Sequence, residues 1–98
     1  MPDTSSPRAP ARELLLANHR FPGQYTLKAF GPGNADFREA VVACAAEQLG
    51  RERVVVRERA TASGHKVCVT LELSLDTVDQ LMSIYTRIHL IPGLFLVL

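Results

Sequence analysis

The side chains of this chain that could do chemistry are scattered, and their spacing favours contact over catalysis. His19, His65 and His89 come singly, none at metal-ligand spacing. Ser63 lies in the turn-forming stretch 61–65 with no base placed beside it, and no nucleophile, acid and base converge on one pattern. The expectation is therefore no enzymatic activity, no cofactor and no metal. Cys44 and Cys68 form no CxxC pair, and they read as reduced thiols of a cytoplasmic protein. What remains is a set of cations at strand-like intervals (Lys28, Arg57, Arg59, Lys66) and the loop Gly31-Pro32-Gly33-Asn34. That loop leads into a helix, whose first backbone N–H groups can hold a carboxylate. Gly31, Gly33 and Asn34, with Lys28, are the candidate ligand-binding residues.

Elements that could position these groups follow from periodicity. Residues 24–30, QYTLKAF, alternate Tyr25, Leu27 and Ala29 against Thr26 and Lys28, as a half-buried strand does. Asn34 is a good N-cap and Asp36 suits the positive end of a helix dipole. From there Phe37, Val41, Cys44/Ala45 and Leu49 repeat at helical spacing until Gly50. Residues 53–59, RVVVRER, and 66–74, KVCVTLELS, read as two strands of a hairpin around a glycine-containing turn. Asp76, with Asp79 three residues on, reads as the cap of a second helix carrying Val78, Leu81, Met82, Tyr85 and Ile88. After Pro92-Gly93, residues 94–98, LFLVL, read as a last strand.

The order β-α-β-β-α-β implies an α+β, ferredoxin-like domain over residues 19–98. Its four-stranded antiparallel sheet carries both helices on one face, with the first and third strands central. Residues 1–18, with three prolines ahead of Leu14-Leu15-Leu16, read as a flexible tail ending in a short apolar segment. The expected core includes Leu27, Ala29, Phe37, Val41, Ala45, Val54, Val56, Val67, Val69, Leu71, Leu81, Tyr85, Ile88, Leu94, Leu96 and Leu98.

Composition narrows the function. The chain has 98 residues, a formal charge of +1 and 47% hydrophobic residues, which fits one small folded domain. A balance so near zero argues against holding nucleic acid or anionic lipid by bulk charge. No stretch approaches the ~20 apolar residues of a membrane helix.

On the uncovered side of such a sheet, Val55, Phe95 and Val97 expose apolar area, with Arg57 between them; these four are the candidate interface residues. The main expectation is a regulatory or adaptor domain that contacts a protein partner, or a second copy of itself, through this face or an edge strand. The alternative is a sensor of an amino acid or small carboxylate at Gly31–Asn34, because Pro32-Gly33 is similar to the Pro-Gly of ACT domains. RNA recognition on this fold uses aromatics in the third strand, and residues 64–70, GHKVCVT, hold none, so a weak RNA binder is the last alternative. Phe37-Arg38 resembles part of the acylphosphatase signature, but that chemistry needs a strand asparagine, and Asn18 and Asn34 fall outside the expected strands.

One family resemblance covers most of the chain. Phe21-Pro22, the strand through Lys28 and the following Gly31 are similar to the opening of the YbeD-like proteins, small bacterial proteins of unknown function. So are Ser63-Gly64 ahead of Val67-Cys68-Val69-Thr70-Leu71, Gln80-Leu81 with Ile84-Tyr85, and the chain end at Val97-Leu98. The resemblance implies a ferredoxin-like, ACT-like fold and no established activity; a regulatory role is the family-level expectation. Many relatives carry an aromatic where this chain has Lys66.

Overall fold

A computed structural model of the protein describes residues 11–98. The tail expected at residues 1–10 lies outside the described residues. The elements are α1 (Arg12–Asn18), β1 (Gly23–Pro32), α2 (Ala35–Leu49), β2 (Val54–Ala60), β3 (Lys66–Leu75), α3 (Val78–Ile88) and β4 (Leu96–Val97). The strands form one antiparallel sheet in the order β2-β3-β1-β4, so β1 and β3 are central.

Register decides which side chains share a side, because residues paired across an antiparallel ladder point the same way. Leu27 pairs with Leu71 and Ala29 with Val69, while Val54 and Tyr25 flank Leu73. These residues lie on the side covered by α2 and α3, and Leu27, Ala29, Val69 and Leu71 are fully buried there. Phe37, Val41, Ala45 and Leu49 of α2, with Leu81, Ile84, Tyr85 and Ile88 of α3, complete the core. The reverse side carries no helix among the described residues.

α2 begins where the sequence indicates: the Asn34 side chain accepts the Phe37 N–H at 2.8 Å. Gly50, at φ 92°, ends it. α3 begins one residue later than expected. Thr77, not Asp76, is its N-cap, and Gln80 rather than Asp79 closes the capping box. An aspartate at that position is one methylene short of reaching back to the cap N–H. Asp79 and Asp76 instead pair outward, with Arg12 at 3.1 Å and Arg53 at 2.8 Å.

Residues 12–18, read above as part of a flexible tail, form the helix α1. So short a helix is marginal alone; here Leu15 is buried in the core, and Arg12 reaches Asp79 on α3.

The chain end departs most from expectation. β4 is two residues long, and its phase is reversed. Val97 pairs with Ala29 and turns toward the core, whereas Leu96 pairs with Phe30 on the uncovered side. Leu98 exchanges two hydrogen bonds with Lys28, at 2.8 and 3.2 Å, and is exposed, as is Leu96. Leu94 and Val56 are only half-buried. Phe95 also donates its N–H to the Phe30 carbonyl at 2.7 Å, so two residues of the end segment stand opposite one of β1, as at a bulge.

Tyr85 is buried with its hydroxyl 2.7 Å from that of Tyr25, whose ring meets His19 edge-on. Burial, then the hydrogen bond of its hydroxyl to Tyr25, push the Tyr85 phenol well above its ordinary value. The folded state thus keeps this proton where the unfolded chain, titrating near pH ~10, loses it. The stabilisation is complete below about pH 10 and declines above it. Urea unfolding midpoints should therefore fall more steeply with pH above about 10 in the wild type than in Tyr85→Phe. Parallel alkaline profiles for the two proteins would contradict the buried neutral phenol.

Candidate functional site

The uncovered side of the sheet is a lattice of rows read directly from the register. Val55, Glu72 and Thr26 form one row; Arg57, Thr70, Lys28 and the terminal Leu98 the next; Arg59, Cys68, Phe30 and Leu96 the third. Lys66 follows, its ammonium 4.2 Å from the centroid of the Phe95 ring. Among the described residues the side chains of these rows thus set four cations against the carboxylate of Glu72, which binds Arg57 at 2.6 Å. Lys28 and Arg59 make no ion pair with any of the described residues.

Two depressions mark this face. Lys28, Arg57, Arg59, Thr70, Cys68 and Phe30 line one of about 510 Å³, with Glu58 at its β2 border. Phe30, Arg59, Lys66, Cys68 and Phe95 line a more apolar one of about 360 Å³ beside it. The structure therefore brings the scattered cations together, on adjacent strands that alternate in phase.

Of the candidate interface residues, Val55 (54% exposed) and Arg57 lie on this face as expected, and Phe95 (67% exposed) stands at its other edge. Val55 and Phe95 are three strand spacings apart laterally, roughly 14 Å, and lie at opposite ends of the rows, so they do not make one apolar patch. Val97 is a correction: it faces the core, and Leu96 and Leu98 take the place assigned to it. Reasoning from sequence missed those two leucines. Only the bulge at Phe95 signals them, and a segment apolar at every position carries no trace of it.

The loop Gly31–Asn34 packs against its own chain on one side, and Gly31 and Pro32 border a depression of about 240 Å³ with His65, Lys66, Gly93 and Phe95 on the other. Gly31 is within β1 and buried, and a Cβ there would stand 2.3 Å from the Phe37 ring. A Cβ on Gly33 would stand 2.3 Å from the Gly64 carbonyl oxygen. The Gly33 N–H donates to the His65 carbonyl at 3.0 Å, and the Asn34 N–H to that of Pro32 at 2.9 Å. The Asn34 side chain is occupied by the Phe37 N–H. Close packing accounts for both glycines, and Lys28 lies on the open face with the other cations.

The cysteines are on opposite sides, Cys44 on α2 and Cys68 in the third row of the open face, and both are free. Burial pushes the Cys44 thiol up, which makes it a poor nucleophile. Cys68 lies 3.8 Å from the Thr70 hydroxyl. Among the described residues no three His, Cys, Asp or Glu side chains are grouped to hold a metal ion. No helix among them is long and apolar enough to cross a membrane.

Fold and site together define a small mixed α/β domain with an open antiparallel sheet and a cationic, apolar-edged face. The chain belongs to the family described as "Protein of unknown function (DUF493)", whose model matches residues 17–98. This is the YbeD family that the Phe21-Pro22 segment and the later motifs resemble. No curated protein and no solved structure matches the chain.

Gly31→Ala should destabilise the fold by about 1–3 kcal/mol, since the methyl group meets an aromatic ring in a filled core. Trimming that ring in Gly31→Ala/Phe37→Leu should cost less than the two single changes added together. Strict additivity of the two in chemical denaturation would rule out the contact.

Proposed function

We propose that this protein is a non-enzymatic, cytoplasmic regulatory or adaptor domain that works by contact with another protein across the open face of a ferredoxin-like sheet. The observation that carries the reading is the composition of that face. Among the described residues Lys28, Arg57, Arg59 and Lys66 gather there against the side chain of Glu72, with Glu58 at the β2 border, in a chain whose overall charge is only +1. Phe95, Leu96 and Leu98 are exposed along one edge of the same face. Exposed apolar area beside concentrated charge is what a partner surface offers, one contributing burial and the other orientation.

The charge also selects among partners. Two copies meeting face to face would bring their cations together, so the face suits a different chain better than a second copy. The small-carboxylate reading at Gly31–Asn34 is left with the Ala35 and Asp36 N–H groups at the helix start, since the Gly33, Asn34 and Phe37 N–H groups are bonded within the chain.

A photo-crosslinking residue at Thr26, exposed on the open face, tests this in the native cell. It should give discrete protein adducts that the same residue at Glu39, on α2, does not give. Leu98→Glu should weaken them several-fold. Identical adducts from both positions would remove the face from consideration.

A further inference from the structure

We propose that the free edge of β2 takes an extended, acidic segment of the partner as an added strand, with carboxylates against Arg59 and Arg57. This rests on the contact reading above and names the chemistry and geometry of the occupant.

The edge is open in the literal sense of backbone groups. Thr61 donates its N–H to the Lys66 carbonyl at 2.9 Å, which fixes that pair as a hydrogen-bonded one. Counting back in twos, Arg59, Arg57 and Val55 direct their N–H and C=O groups to β3. Val56, Glu58 and Ala60 therefore direct theirs outward, and among the described residues these groups have no hydrogen-bond partner. At the strand's start the outward Val54 carbonyl is occupied by Arg51 at 3.0 Å. The available template is thus residues 56–60.

Side chains then specify what fits. A strand added here would set its open-face residues opposite Val55, Arg57 and Arg59. That calls for one apolar residue and two acids in alternation. Arg59 is the stronger anchor because it has no ion pair, whereas Arg57 already shares Glu72. Glu58, on the helix side, is met by Arg38 at 3.4 Å and asks nothing of the incoming strand.

The same charges disfavour a second copy. If β2 paired with itself about a two-fold axis, a register centred on Arg57 would oppose it to its own copy. Centring on Glu58 would oppose Arg57 to Arg59.

The test uses the full chain and the acetylated, amidated peptide Thr-Val-Glu-Thr-Glu-Val-Ile-Thr. Its control is the same peptide with lysine for both glutamates. Amide exchange followed by NMR should show the acidic peptide protecting Val56, Glu58 and Ala60, and the lysine peptide protecting none. Arg59→Glu should weaken binding about tenfold, the scale of a cross-strand attraction turned into repulsion. Lys28→Glu, the same charge change two strands inward, should weaken it much less. Glu58→Pro should abolish protection, since it removes an outward N–H that the fold does not use. Should that variant not fold, Arg59→Glu still decides.

Equal binding of both peptides, or equal losses at Arg59 and Lys28, would overturn the proposal, as would stronger retention of an RNA oligonucleotide than of the peptide. So would binding that leaves the three amides unprotected, or concentration-dependent dimerisation through β2. Adducts at Thr26 without strand addition would defeat this inference alone, whereas no distinct adducts at Thr26 would defeat the contact reading beneath it.

Discussion

The antiparallel register of β1 against β3 is the constraint from which the rest of the molecule follows. Leu27 opposite Leu71 and Ala29 opposite Val69 place the apolar residues of both central strands on one side. A slip of one residue would reverse every side chain of a strand and expose what is now fully buried. With the register set, α2 and α3 have one surface to cover, and the polar alternates have nowhere to go but the other. The cationic face is thus the necessary complement of the core.

A second consequence of the register concerns the glycines. The Phe37 ring sits where a Cβ of Gly31 would be, and the hairpin turn presses its Gly64 carbonyl on Gly33. The loop between β1 and α2 is then a joint where helix, central strand and hairpin meet closely. A glycine that looks available to a ligand in sequence serves here to let the chain approach itself. The hydrogen bonds from Gly33 and Asn34 complete that closure.

Charge is distributed by the same geometry. The chain as a whole is close to neutral, yet alternation gathers Lys28, Arg57, Arg59 and Lys66 on one side. Several of the remaining ion pairs lie at joints between elements, such as Arg12–Asp79, Arg53–Asp76 and Arg87–Glu47. These are exposed and contribute little each to stability. Local concentration of charge, not its total, is what a binding partner would sense, because screening limits its reach to about 10 Å at moderate salt.

Much of this was legible in the residues alone. Alternation in β1 and β3, the helical stripe from Phe37 to Leu49 and the Asn34 cap specify the elements, since each is a local pattern with a clear period. The rows of the open face follow from those strands. Tertiary structure decided the rest. Thr77 displaced Asp76 as a cap because side-chain reach, not charge, closes the box. Leu15 made a helix of an apparent tail because the core offered it cover. Above all, the phase of residues 94–98 came from pairing with β1: LFLVL is apolar throughout, so alternation holds no information there. Only the hydrogen bonds to Lys28 and Phe30 turned Val97 inward and left Leu96 and Leu98 outside.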